Sequence, residues 1–318
     1  MPARALTERS GRADPNQEPR TVTTQAATTA SAALRWRDYA ELTKPRITLM
    51  VVLTALVGFL LATLGRLEWG LLVHTLFGTA LLAGGASALN QYLERQVDAR
   101  MRRTANRPLP AGRLAPAMAL AFGVGLGLAG GLYLGWAVNL LTAALGVATL
   151  GAYIFIYTPL KPRSNLNTLV GAVPGAIPPM MGVTAVTNEL DLLAWALFGI
   201  LFLWQMPHFL AIAWLYRTDY QRGGLAMLPV DDAHGLQTAR QMVLYAAALV
   251  PVSLLPSVLG VSGPVYFLGA LLMSFAFLGF SAAFGFLQNA RMARRVVLAS
   301  VAYLPLLLIL MVADRAAG

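Results

Sequence analysis

Nine apolar runs, each long enough to cross a bilayer, recur along this chain from Pro45 onward. A helix needs about 20 mostly apolar residues to span roughly 30 Å of hydrocarbon. Runs of that length fall at about 45–64, 70–91, 115–136, 139–158, 167–187, 192–215, 239–260, 264–287 and 296–313. They are continuous, not alternating, which excludes a transmembrane β-barrel. Only 12% of the 318 residues are charged and 57% are hydrophobic, whereas an ordinary soluble domain carries roughly 25% charged residues. A soluble globular fold is excluded, and so is disorder over most of the length. The sequence predicts an all-α polytopic membrane protein, nine transmembrane helices in a bundle, over residues 35–318. Residues 1–34 are mainly Ala, Thr, Ser, Arg and Gln, too polar to bury a core, and read as a disordered cytoplasmic tail without a secretory h-region. The chain has no cysteine, so disulfides and thiolate chemistry are excluded.

Charge placement predicts the topology. If the N-terminal side is called inward, every one of the 24 lysines and arginines except Arg66 and Arg315 falls on an inward segment. That asymmetry predicts a cytoplasmic N-terminus and an external C-terminus; a bacterial inner membrane is the expected location. The net charge of +10 then serves topology and attraction to the anionic headgroups of the lipid bilayer, and nucleic acid is not expected as a partner. The outer loops are short and nearly uncharged. The inward loops after the second, fourth and sixth runs mix acids, amides and bases, so polar chemistry is expected on the cytoplasmic side.

The second run ends in Asn90, Glu94 and Asp98, spaced i, i+4, i+8 on one helical face. Carboxylates one turn apart repel, and a divalent cation between them turns that cost into binding. An oxygen-only donor set favours Mg²⁺, which keeps waters and bridges to phosphates. The alternative is a solvated helix end, with Asp98 paired to Arg102. The sixth run carries Trp204, Gln205, Pro207 and His208 inside the span. Polar residues there face an interior cavity, and Pro207 is expected to kink the helix. His208 reads either as a structural donor or as a substrate contact. Asp219 follows where this run leaves the membrane and either pairs with Arg222 or joins the site. Lys44 and Lys161 are the only lysines; both sit at inward helix ends, suited to phosphate oxygens or to simple anchoring. The stretch from Gly171 to Pro179 is expected to break the fifth helix beside a cavity. These parts together describe metal-assisted cleavage of a diphosphate at the membrane surface, with an apolar tail lying in the bundle.

The motifs Asn-x3-acid-x3-Asp followed by Met-x-Arg-Thr-x2-Arg-Pro-Leu, Tyr-Thr-x2-Leu-Lys and Trp-Gln-x-Pro-His-Phe, with Asp219 to Val230, strongly resemble the UbiA-type intramembrane prenyltransferases. The resemblance covers about residues 38–315. WQMPHF at 204–209 with DYQRGGLAMLPV at 219–230 is similar to the heme O branch. The resemblance implies that Asn90, Glu94, Asp98 and Asp219 are catalytic and hold Mg²⁺, and that Lys44, Arg107 and Lys161 neutralise diphosphate charge. It implies transfer of the farnesyl group of farnesyl diphosphate to a vinyl group of heme b, with addition of a hydroxyl, giving heme O. Trp204, Gln205 and His208 are then expected on the heme side, with Gln205 or His208 positioning the quenching water. Heme A synthase or oxidase assembly proteins are the expected recipients. Two positions depart from the wider pattern: many members have Asp where this chain has Glu94, and Gly223 stands where a second Asp-x3-Asp would end. Three other readings compete. A transferase acting on an aromatic quinone precursor shares the diphosphate machinery but not WQMPHF. A secondary transporter fits broken helices, though no inverted repeat is visible. An oxidase assembly factor would use the motif residues for topology alone.

Overall fold

The computed structural model describes residues 36–315; the tail expected over 1–34 lies outside the described residues. A short helix α1 (Trp36–Leu42) leads into α2 (Pro45–Ala62), α3 (Trp69–Asp98) and α4 (Pro116–Ala137). Then come α5 (Leu140–Gly151), a π-helical turn (Ala152–Tyr157) and α6 (Thr158–Leu160). The broken pair α7 (Asn167–Ala176) and α8 (Pro178–Thr187) precedes α9 (Leu192–Leu215), and the short α10 (Arg217–Gly223) and α11 (Leu228–Asp231) follow it. The last helices are α12 (Leu236–Ser253), α13 (Leu255–Val258), α14 (Pro264–Leu287) and α15 (Ala290–Ala313). Among the described residues nine helical segments are long and apolar enough to cross a membrane, as expected. The described residues contain no strand beyond an isolated bridge between Ser262 and Arg315.

Where bounds differ from the hydropathy reading, polar side chains explain the difference. The second span runs seven residues past the apolar run, to Asp98, because Asn90, Glu94 and Asp98 each find a partner on another element. At about 1.5 Å per residue its length is roughly 45 Å, beyond the roughly 30 Å of hydrocarbon, so its last turns project past the apolar layer. The ninth span starts at Ala290 rather than 296 because Asn289 caps it, its side chain accepting from Met292 N at 2.8 Å. The fifth span breaks at Ile177 ahead of Pro178, as expected. Helix α9, by contrast, continues unbroken through Pro207.

Packing relies on small residues where backbones meet. A Cβ on Gly182 of α8 would collide with the carbonyl oxygen of Ala55 in α2, and one on Gly58 of α2 with the carbonyl oxygen of Pro179. The glycine-rich α4 lies against α3, where a Cβ on Gly85 would sit 2.7 Å from Gly127 N. Without a strong hydrophobic drive between helices in lipid, such close approach supplies the association energy. The largest core surrounds α9, where Leu197, Ile200 and Leu210 meet Met242, Phe277, Tyr303 and Leu307. Its polar groups are paired: Ser274 Oγ lies 2.9 Å from both Ser253 Oγ and Tyr303 OH, and Tyr266 OH donates to Ser253 O at 2.6 Å. Large apolar side chains such as Phe286, Leu272 and Ile309 face outward, as a lipid-facing surface requires.

Candidate active site

The last turns of α3 collect three cations from three separate segments. Lys44 Nζ donates to Asn90 Oδ1 at 3.1 Å, Lys161 Nζ pairs with Glu94 Oε1 at 2.6 Å, and Arg107 pairs with Asp98 Oδ2 at 2.7 Å. Asn90, Glu94 and Asp98 are all buried. The pairing of Asp98 is therefore with Arg107, not with Arg102.

Each cation is delivered by a local device. Lys44 joins α1 to α2 with φ +48°, a left-handed backbone that a side-chained residue adopts rarely and that clusters at functional sites. Gln91 secures that junction, its Nε2 donating to the carbonyls of Glu41 and Leu42 at the end of α1, while Lys44 N also donates to Glu41 O at 3.1 Å. Lys161 follows the π-helical turn, a feature common at functional sites. Its ammonium stands 4.5 Å over the Tyr157 ring. Thr158, just beyond that turn, accepts from Asn90 Nδ2 at 3.2 Å. Arg107 sits in the 99–115 loop, which starts with Thr104 Oγ1 donating to Asp98 O at 2.9 Å. Desolvation, then the charge of Arg107, lowers the Lys44 ammonium to about 7, while Glu94 pulls the other way. Burial also opposes the charge of Lys161, but Tyr157 and Glu94 outweigh it and hold the ammonium well above the ordinary lysine range.

Asp219 stands in a neighbouring cluster. It accepts from the backbone N of Arg103 and pairs with Arg222, both at 3.3 Å. The Arg103 guanidinium lies over the rings of Tyr216 and Tyr220. A further tie joins the Asp219 segment to the Lys161 loop: Ala226 N donates to Lys161 O at 2.8 Å, and Asn167 Nδ2 donates to Ala226 O at 2.6 Å. The three polar loops thus form one connected surface. Gly223 faces Met101 closely, a Cβ there standing 3.1 Å from its Cγ.

The remaining residues singled out in the sequence lie elsewhere on α9. Gln205 Nε2 donates to Ala172 O at 3.3 Å and Leu201 O at 3.0 Å, beside the break of the fifth span. Trp204 Nε1 donates to Ser300 O at 2.9 Å, and His208 Nδ1 lies 2.7 Å from Ser300 Oγ on α15. None of the three hydrogen-bonds to the charged cluster.

The donor set suits Mg²⁺. Asp98 Oδ1 is buried and has no hydrogen-bond partner, an oxygen left open for a cation. Among the described residues no three His, Cys, Asp or Glu side chains converge on one point. The α3 face offers two carboxylates and an amide oxygen, a partial oxygen set of the kind Mg²⁺ accepts when water and phosphate oxygens complete it.

Sequence reasoning missed Thr158, Arg103 and Arg113. Arg113 pairs with Asp38 at 2.7 Å and Glu41 at 2.8 Å, and donates to Asn106 O at 2.6 Å. Its hydrogen bond to Asp38, foremost, holds its pKa above the ordinary range. The signal was present as two acids three apart in a short stretch before the first span. Arg113 fixes the residue next to Arg107, so Arg113→Ala is expected to raise KM for a prenyl diphosphate about tenfold, with a smaller change in kcat, as loss of an outer-shell partner does. Steady-state kinetics check this, and Arg113→Lys, lacking the three-way fork, should not restore KM.

The fold and this charged helix end define the class. Residues 51–307 match the model of the UbiA prenyltransferase family, and the chain belongs to that family. Among its relatives is the protoheme IX farnesyltransferase of Solibacter usitatus (strain Ellin6076), 48% identical over 288 residues, covering 88% of this chain and 99% of the relative. That of Salinibacter ruber (strain DSM 13855 / M31) is 49% identical over 278 residues, covering 87% and 98%. The fold is shared with a solved digeranylgeranylglyceryl phosphate synthase at TM-score 0.72 and 16% identity, covering 88% of this chain and 98% of that one. It is also shared with a UbiA homolog from Archaeoglobus fulgidus solved with DMAPP and Mg²⁺, at TM-score 0.63 and 14% identity, covering 87% and 99%.

Proposed function

We propose that this membrane prenyltransferase moves the farnesyl group of farnesyl diphosphate onto a vinyl group of heme b, with addition of a hydroxyl, to give heme O for respiratory oxidases. The observation that carries the transfer chemistry is the convergence of Lys44, Lys161 and Arg107 on one buried face of α3. The acceptor rests on the similarity to the protoheme IX farnesyltransferases.

The reaction breaks the allylic C–O bond of farnesyl diphosphate and forms a carbon–carbon bond from the farnesyl C1 to the heme vinyl carbon. Water adds to the resulting cation and loses a proton, and diphosphate leaves. Lys44, Arg107 and Lys161 bind the diphosphate oxygens and take up the negative charge that grows on the leaving group. Asn90, Glu94 and Asp98 are the residues that would hold Mg²⁺, with Asp219 serving a second site. Bound there, the metal supplies Lewis-acid neutralisation of the diphosphate. The apolar bundle keeps stray water from the allylic cation until the vinyl carbon attacks. Trp204, Gln205 and His208 serve the acceptor side. The active face is cytoplasmic in a bacterial inner membrane, and heme A synthase or oxidase assembly proteins take the product.

The test is direct. Purified protein in lipid receives heme b, farnesyl diphosphate and Mg²⁺, and heme products are read by chromatography and mass. The expected product is heavier than heme b by a farnesyl and a hydroxyl group, and EDTA is expected to abolish it. Diphosphate release only with an aromatic quinone precursor would move the chain to that branch of the family.

A further inference from the structure

His208 is held in a way that leaves one ring nitrogen free for a ligand. The Ser300 hydroxyl has one hydrogen, and its Oγ lies 2.7 Å from Val297 O as donor. Given that bond, Ser300 Oγ can only accept from His208, at 2.7 Å, which places the proton on Nδ1. The other tautomer puts an N–H on Nε2, which has no hydrogen-bond partner among the described residues. An unpartnered donor in an apolar span is costly, so the Nδ1–H form is favoured and Nε2 keeps a lone pair. That atom is not sealed off within the protein, since it is absent from the buried, unpartnered atoms of the described residues.

The ring is locked from two further directions. Trp204 stacks on it at 5.1 Å between centroids and 17° between planes, and the indole is itself fixed by its bond to Ser300 O. Neutral imidazole, oriented by a hydrogen bond from Nδ1–H and presenting Nε2, is the arrangement found in metal-ligating histidines, including those that bind heme iron. His208 lies seven residues before the end of α9, about 10 Å inside it at 1.5 Å per residue, toward the same inward side as the charged end of α3. The other two histidines do not compete: His74 is bonded to Tyr133 near the opposite end of α3, and His234 is exposed on a loop.

We propose that His208 ligates the iron of the heme substrate through Nε2, with Ser300 and Trp204 as the residues that position its ring. The proposal rests on heme being the acceptor. Axial ligation then explains why a polar residue is kept on α9 facing α15, away from the charged cluster.

The test is a titration of heme b into the full-length protein in lipid nanodiscs without farnesyl diphosphate. It is read by optical absorption and by the iron–histidine stretch of the ferrous form. The wild type is expected to show an iron–imidazole signature. His208→Ala should lose it and bind heme about tenfold or more weakly, and added imidazole should restore the signature, which also shows that the variant is folded. Ser300→Ala should keep the ligand but shift the iron–histidine band, and His234→Ala should match the wild type. A wild-type spectrum from His208→Ala overturns the proposal. Heme that binds and is farnesylated without a histidine signature overturns the ligation alone and leaves the proposed function standing. No heme binding, with farnesyl transfer to another acceptor, overturns both.

Discussion

Asp98→Asn is expected to lower turnover by about 10²–10³-fold, the size of effect seen when one charge-stabilising group is removed from a transition state. The substitution is isosteric and leaves an amide oxygen to accept from Arg107, whose side chain is 23% exposed and can regain water. Stability should therefore change little. What is lost is the second oxygen as an anionic donor. Asp98 Oδ1 is buried without a partner, and an amide nitrogen there would face a cation with its own protons. Prenyl transfer and diphosphate release measured beside the melting temperature separate the two effects. Near-normal turnover would remove Asp98 from the site.

The largest expected effect on folding is at Gly182. Gly182→Leu should yield no folded protein, and even Gly182→Ala should cost about 3 kcal/mol, because overpacking where backbones touch forces helices apart. A Cβ there collides with the carbonyl of Ala55, which belongs to α2 itself, so no flexible side chain can move aside. The consequence reaches the site, since α2 begins at Pro45, next to Lys44. Gly125 is the control. A Cβ there meets nothing, so Gly125→Ala should be neutral or stabilise by up to about 1 kcal/mol through helix propensity. Yield of monodisperse protein and its thermal unfolding in detergent decide the matter; equal behaviour of Gly182→Ala and Gly125→Ala would contradict the packing account.

The spans were legible because a lipid-crossing helix must be apolar for its full length, and that requirement is written residue by residue. So was the α3 face, since i, i+4, i+8 spacing needs no tertiary knowledge. The partners were not. Lys44 and Lys161 were recognisable as basic groups at inward helix ends and Arg107 through the family resemblance, but which α3 residue each meets depends on how three loops fold over one helix. Arg102 was the nearer choice for Asp98 in sequence, yet it loses to Arg107 because the loop turns back once Thr104 bonds to the Asp98 carbonyl. Ser300 gave no signal at all, being one serine in a lipid-crossing helix. The hydropathy reading also stopped α3 at 91, because it scores Glu94 and Asp98 as solvent-seeking when here they are buried and paired.

The pairings on α3 carry a thermodynamic consequence. Each cation that would take a phosphate oxygen already satisfies Asn90, Glu94 or Asp98. Lys161 cannot turn to a diphosphate without leaving Glu94 with an uncompensated charge in a water-poor site, and Glu94 cannot turn to a metal without doing the same to Lys161. The exchange of partners is favourable only when both newcomers are present. Binding of the two would therefore be linked, each raising the affinity for the other by the same factor, with the two ion pairs of the resting protein giving way together.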